Sequence, residues 1–159
     1  SGTKHWSLPF DAILTARGSF AVVDSHGDND HIPIFERQFL GGARDLRGFD
    51  FRDVGPRDDT GPNPTQEVLG GATSVFGSLE LTFPVIGQVR GAVFYDAGFV
   101  NSDSWDFNTG RLASDVGVGV RLNLPGIGPL AVDFAVPVET PDEQADDGSQ
   151  IQFYMDYQF

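Results

Sequence analysis

The sequence predicts an all-β protein, an antiparallel up-and-down meander of about six to eight strands that belongs to a transmembrane β-barrel of the outer-membrane type. Three observations predict this fold class. Apolar and polar residues alternate with a period of two through most of the chain, short and long connections alternate, and helical periodicity is hard to find.

The alternation defines the predicted strands and their two faces. Within residues 72–84, Leu79 and Leu81 occupy one face, while Ser78 and Glu80 occupy the other. The predicted strands cover residues 10–23, 72–84, 88–100, 112–124, 130–138 and 151–159, with a short strand near Trp6. We expect one face to contact lipid, including Val93, Tyr95, Val118, Val132 and Phe153, and the other to line the lumen, including Glu80, Arg90, Asp96 and Arg121.

The connections between these strands differ in length. Residues 84–88 and 124–130 form short turns, whereas residues 24–71, 101–111 and 139–150 form long polar loops. In a meander, alternate connections emerge at the same end, so all the long loops share one end. Long loops at one end and short turns at the other are typical of an outer-membrane barrel.

A soluble antiparallel sandwich is the alternative, because it shows the same alternation with its apolar faces packed together. Two features favour the barrel. The polar faces hold many glycines and few charges instead of the Lys and Glu coat of a solvated sheet, and the last strand ends on the aromatic Phe159.

Composition and charge exclude several classes of function. The formal net charge of −13 disfavours a nucleic-acid partner, because phosphate binding needs a basic surface. Cysteine is absent, which excludes disulfides, thiol catalysis and cysteine zinc sites. Residues 24–31, "DSHGDNDH", lack the glycine and terminal glutamate spacing of a calcium loop and are interpreted as an exposed acidic loop. We expect no catalytic residues, no metal and no cofactor.

The longest connection, residues 24–71, exceeds the usual connection length several-fold, and such loops are usually functional or disordered. Its middle, "GGARDLRGFDFRDVGPRD" at residues 41–58, mixes arginines, aspartates, glycines and phenylalanines. This composition is too specific for a linker and too polar for a core. Residues 1–159 are therefore interpreted as one barrel segment that carries a functional loop.

Five stretches in order resemble the C-terminal barrel half of the Omp85 superfamily, the BamA-type outer-membrane assembly and translocation proteins. They are "FERQFLGGARDLRGFDFRDVGPRD", "GGATSVFGSLELTFP", "VRGAVFYDAGFV", "VGVGVRLNLPGIGPLAVDFAVPV" and "IQFYMDYQF". Each motif is weak by itself, and their shared order and spacing make the resemblance specific.

The resemblance implies a role for the loop tetrad Leu46-Arg47-Gly48-Phe49. In the family, this tetrad lies on a long loop that folds back into the barrel lumen. Gly48 would allow a sharp turn or a close approach to the wall, and Phe49 would pack beside it. The alternative is that Arg47 is a solvent-exposed loop arginine.

The resemblance also implies partners for Arg47 on the barrel wall. The family's F-x-D-x-G motif falls on Phe94, Asp96 and Gly98, and its inward glutamate on the preceding strand falls on Glu80. The alternation independently places both carboxylates on the polar face, where a guanidinium can fork between them. We therefore expect Arg47 to bind Asp96, Glu80 or both. The alternative is a pair of hydrated lumen charges.

The resemblance gives the last strand a role at a lateral seam with the first strand of the barrel, although Asp156 stands where the family usually has glycine. A family barrel has about sixteen strands, so this chain would lack the first strand and the N-terminal POTRA repeats. Closure would then need the missing barrel half or a second copy in a homodimer. The seam residues are Ile151, Phe153, Met155, Tyr157 and Phe159.

The implied function is that of a parent protein that inserts barrel proteins into the outer membrane of a Gram-negative cell or organelle, or passes polypeptides across it. Its partners would be outer-membrane lipid and unfolded outer-membrane proteins. Two alternatives remain open. The barrel could anchor a fused patatin-like hydrolase, or it could be a small free-standing structural barrel. The sequence upstream of Ser1 would distinguish them.

Overall fold

A single antiparallel sheet organises the chain, with seven strands in sequence order from β1 to β7. The computed structural model describes residues 1–24, 32–58, 67–124, 128–141 and 149–155. None of the helices in these ranges is long and apolar enough to cross a membrane. The predicted all-β meander is confirmed. The strands are β1 Gly2–Ser7, β2 Ile13–Val22, β3 Thr73–Ile86, β4 Val89–Asn101, β5 Ala113–Leu124, β6 Gly128–Glu139 and β7 Gln150–Met155.

The strand predicted at residues 10–23 begins later than expected. Pro9–Asp11 forms a single 3-10 turn, and both Phe10 and Asp11 have positive φ angles, of 64° and 55°. The Leu8 N–H closes the turn by donating to the Ala12 carbonyl at 2.8 Å. Positive φ is incompatible with an extended strand, so β2 starts only at Ile13.

The pairing register puts apolar side chains next to one another on the outer face of the sheet. Leu81 pairs with Val93, Val93 pairs with Val118, and Val118 pairs with Phe134. Val93, Val118 and Phe134 are all exposed, so the outer face is a continuous apolar surface. A water-exposed surface of this kind is rare on soluble monomers, and it suits contact with lipid.

The expected lipid-facing residues follow this pattern. Val93, Tyr95, Val118 and Val132 are exposed on the outer face. Phe153 pairs with Val132, and its side chain lies outside the described part of the structure.

The apolar core lies between the long β2–β3 loop and the inner face of the sheet, which we define as the face on which this loop lies. Each buried aliphatic or aromatic side chain contributes about 1.5–3 kcal/mol relative to exposure. The loop is therefore an integral part of the packed structure. The core combines loop residues with residues from β3, β4 and β5: Leu40, Leu46, Phe49, Val54, Phe76, Val100 and Ala113.

The loop returns on itself through irregular antiparallel bridges, of which two pair Gln38 with Gly71 and Leu40 with Val54. Arg37 ties its two ends together, because Nε donates to the Ile32 carbonyl at 3.0 Å and Nη1 donates to the Leu69 carbonyl at 3.1 Å. These bonds satisfy backbone groups that a loose loop would leave to water. The loop tip at residues 46–49 is thereby presented to the sheet.

The alternation of faces gives a direct test in the membrane. A fluorophore attached through Tyr95→Cys or Val118→Cys should be quenched by a lipid-phase quencher, because both positions face outward. A fluorophore attached through Asp96→Cys should not be quenched, since this adjacent position faces the loop. Quenching at 96 without quenching at 95 would invert the assignment.

Candidate functional site

Arg47 lies at the loop tip with its guanidinium against the inner face, only 2% exposed. Its Nε donates to Asp96 Oδ2 at 2.7 Å, and its Nη2 donates to Asp96 Oδ1 at 3.0 Å. Its Nη1 donates to Glu80 Oε2 at 2.6 Å. The Asp96 contact is a two-pronged, charge-assisted fork, a geometry that arginine forms and lysine cannot. The structure thus brings Arg47 together with both carboxylates expected from the sequence.

The ring of Phe94 forms the floor beneath this guanidinium. The guanidinium carbon lies 3.4 Å from the ring centroid, which places the cation over the aromatic face. Glu80 and Phe94 are register partners on β3 and β4, and Ser78 and Asp96 form the next inward pair. Adjacent inward positions of two neighbouring strands therefore supply two carboxylates and an aromatic platform for one cation.

The site also includes a third carboxylate and a second arginine. Arg47 Nη1 donates to Asp133 Oδ2 at 3.1 Å. Arg121 on β5 donates through Nη2 to Glu80 Oε2 at 2.7 Å and forms an ion pair with Asp133 on β6. We call Arg47, Glu80, Asp96, Arg121 and Asp133 the lumen ion network.

The network sets the protonation of Arg47. Burial alone would lower the pKa of its guanidinium, but hydrogen bonds and charge from Asp96 and Glu80 outweigh burial and raise the pKa above its ordinary value. Arg47 is therefore a permanent cation. In the seated loop, Arg47 cannot lose its charge by releasing a proton. The buried charge is therefore stabilised by its carboxylate partners on the strands.

Gly48 and Gly98 permit the close approach between loop and wall. A Cβ atom at position 48 would lie 2.5 Å from Asp115 Cβ and 3.2 Å from the Pro137 nitrogen. A Cβ atom at position 98 would lie 2.8 Å from Leu40 Cδ1. Gly48 also lies in a tight turn, because the Phe49 N–H donates to the Leu46 carbonyl at 3.2 Å, so the structure has both features expected at this glycine.

The flanking tetrad residues fasten the loop on either side of Arg47. Leu46 and Phe49 are fully buried in the core. The Phe49 carbonyl accepts a hydrogen bond from Gln152 Nε2 on β7 at 3.4 Å. Through Arg47, Gly48 and Phe49, the tetrad touches every strand from β3 to β7.

Asp115 is a fully buried carboxylate next to the network. Its side chain is fully buried, and no side-chain donor among the described residues hydrogen-bonds to it. It is the register partner of Asp96, and Gly48 packs against it. Four carboxylates, at positions 80, 96, 115 and 133, thus surround two arginines, and the wall holds more acid than base.

Asp45, two residues before Arg47, is half-buried on the loop. Burial raises the pKa of its carboxyl to about 6, Arg17 and Arg44 oppose the shift, and Asp96 adds to it. Asp45 therefore titrates well above an ordinary aspartate. The raised pKa depends on the burial of this carboxyl in the folded structure.

The structure describes only some of the seam residues expected on the last strand. In β7, Phe153 pairs with Val132 and Met155 pairs with Leu130, while the side chain of Ile151 is exposed. Tyr157 and Phe159 lie outside the described residues. The acidic stretch at 24–31 also lies outside them, apart from Asp24. The described ranges contain no cluster of His, Asp and Glu suited to a metal ion.

Asp133 is the site residue that sequence reasoning missed, and the Arg121 contacts were missed with it. Both positions have the inward parity of the polar faces, which is the signal that could have found them. Parity does not give the register between strands, however. Only the pairing of Asp133 with Gly119 shows that its carboxylate lies beside Arg121 and within reach of Arg47.

Comparison with known proteins shows what the chain is similar to. A family model described as the Omp85 superfamily domain matches residues 1–159. The outer membrane protein assembly factor BamA of Nitratidesulfovibrio vulgaris is 28% identical over 147 residues, covering 90% of this chain and 18% of the relative. BamA of Neisseria meningitidis serogroup B is 26% identical, covering 96% of this chain and 22% of the relative.

A solved structure shows the same fold. The crystal structure of BamA from Haemophilus ducreyi lacking POTRA domains 1–3 superposes with a TM-score of 0.78 at 28% identity. The match covers 95% of this chain and 32% of that one. This chain thus spans about a fifth of the length of the curated relatives it matches.

Arg47→Ala should lower the free energy of unfolding by about 3–5 kcal/mol, because it strands buried carboxylates without their cation. Arg47→Lys should recover little, since lysine cannot form the fork to Asp96. Urea unfolding of the detergent-folded protein measures both effects. Combining Arg47→Ala with Asp96→Ala should cost less than the sum of the single changes. If the two losses of unfolding free energy add exactly, Arg47 and Asp96 do not interact.

Stability should fall as pH rises through the titration of Asp45. The folded pKa, about 6, lies above the ordinary value of 3.8, so the seated loop binds the proton more tightly than the unfolded chain does. This contribution is complete below the ordinary value and is lost as pH rises towards neutrality. Thermal unfolding of Asp45→Asn should show a smaller slope than the unchanged protein, whereas Asp50→Asn, at an exposed loop position, should keep the full slope. If Asp45→Asn leaves the slope unchanged, the pH dependence of stability arises from another group.

Proposed function

The chain belongs to the Omp85 superfamily, and on that premise we propose that it is the C-terminal barrel segment of a protein that assembles β-barrel proteins in the outer membrane. The observation that carries this proposal is the family match over the whole chain, supported by relatives named as outer membrane protein assembly factors. The alternatives of a hydrolase anchor and a free-standing barrel draw no support from these relatives. The segment lies in the outer membrane and contacts its lipid through the apolar outer face.

The loop acts as an internal brace in this proposal. Arg47 bonds to β3, β4 and β6, Gly48 packs on β5, and the Phe49 carbonyl accepts from β7. One tetrad therefore connects five strands that otherwise hold together only pairwise. The brace fixes the shape of this wall while another part of the barrel opens.

The opening part is the free edge of β7. Among the described residues, β7 has a single strand neighbour, β6, and β1 likewise has only β2. Backbone groups on such edges cannot stay unsatisfied in hydrocarbon. In the parent, β7 pairs with the first strand of the barrel, and this weak seam opens so that a strand of an unfolded outer-membrane protein adds to the exposed edge.

The sheet needs a partner to close. The remaining barrel strands of the parent are the partner we propose, because the chain spans about a fifth of its relatives. A chain expressed alone would bury the same two edges against a second copy, as a homodimer. The activity is mechanical and non-enzymatic, since it consists of strand exchange at an edge, and it uses no cofactor.

Locking the seam tests the proposal in the full-length parent. A disulfide between Ile151→Cys and a cysteine in the first barrel strand should abolish insertion of an unfolded outer-membrane protein into proteoliposomes, and reductant should restore it. Val116→Cys with Val136→Cys is the matched control, because these positions already face each other on β5 and β6. Full insertion activity with the seam locked would refute the mechanism.

A further inference from the structure

We propose that Arg121 is a positioning residue that holds Glu80 and Asp133 in place for the loop, so that the wall is prepared before Arg47 arrives. This inference rests on the proposed role of the loop as a brace. It concerns a strand residue that lies outside the loop tetrad and outside the F-x-D-x-G motif.

The two arginines bind the same carboxylate atoms. Glu80 Oε2 accepts from Arg47 Nη1 at 2.6 Å and from Arg121 Nη2 at 2.7 Å. Asp133 Oδ2 accepts from the same two nitrogens, at 3.1 Å in each case. A carboxylate oxygen has two lone pairs, so each oxygen serves both donors. The positions of these two acceptors are thus set jointly.

The two arginines differ in the part of the structure that carries them. Arg47 moves with the loop, whereas Arg121 belongs to β5 and stays with the wall. Without Arg121, Glu80 and Asp133 would lose the cation that they share before the loop docks, and the repulsion between these two like charges would increase. With Arg121 in place, both carboxylates are already ordered. Docking of the loop therefore costs less conformational free energy.

Gly119 makes room for this arrangement. It is the register partner of Asp133. A Cβ atom at position 119 would overlap Asp133 Oδ1 and lie 2.7 Å from Arg121 Nη1. The absence of a side chain at Gly119 leaves room for the Arg121–Asp133 ion pair. A Cβ atom at Gly77, in contrast, would enter open space.

Arg90 provides a matched control arginine. It is the register partner of Arg121 on the neighbouring strand. Its Nη2 instead donates to the Asp11 carbonyl at 2.7 Å and to the Thr82 carbonyl at 3.3 Å. These two hydrogen bonds go to backbone oxygens outside the lumen ion network. An arginine on the same face can therefore be removed without touching the network contacts.

Loop seating can be measured directly in the folded full-length parent, with spin labels on Asp50→Cys and Glu139→Cys in a cysteine-free background. Arg121→Gln should lower the ratio of seated to unseated loop roughly tenfold. Arg121→Lys should recover part of this loss, and Arg90→Gln should leave the ratio unchanged. Gly119→Ala should act like Arg121→Gln, while Gly77→Ala should have no effect.

The Arg47→Ala background separates positioning from general stabilisation. Once Arg47 is gone, Arg121→Gln should cause no further change in seating, because Arg121 acts through the carboxylates that Arg47 binds. An undiminished effect in that background, or an unchanged ratio in Arg121→Gln and Gly119→Ala alike, would overturn the proposal. The spin labels measure loop seating without an assembly assay. If the proposed assembly function is wrong, the variants will still change seating as expected, but seating will not correlate with insertion of outer-membrane proteins.

Discussion

A buried arginine charge organises this structure. Arg47 is 2% exposed and cannot lose its proton, so the fold must supply carboxylates wherever the loop places it. Removing a charge from water costs several kcal/mol unless it is paired and hydrogen-bonded. Glu80, Asp96 and Asp133 meet that requirement from three different strands. Gly48 and Gly98 let the loop come close enough to the wall for these contacts.

The balance of charge around that cation is uneven. Four carboxylates lie around two arginines, and Asp115 is fully buried beside its register partner Asp96. Such an arrangement is costly in a site that only needs to be stable.

The distribution of apolar residues differs from that of a soluble sheet protein. The outer face is apolar and exposed, as shown by Val118 and Phe134, while the packed core lies between the inner face and the loop. Loop residues Leu46 and Phe49 supply part of that core. The contacts of Arg47 with the wall and the packing of the core therefore both depend on docking of the loop. A change that unseats the loop should expose apolar surface and buried charge together.

The sequence alone indicated the approximate strands and their faces, because the period-two alternation is a local property of the chain, and the resemblance of its short motifs to a known family identified the loop tetrad. Register, in contrast, depends on how distant strands pair, and one residue of slip reverses every side chain. Only the tertiary structure decided that Asp133 and Arg121 join Arg47 and Glu80, since these residues lie up to 86 positions apart in the chain. Their association depends on strand pairing and on the loop's fit against the wall.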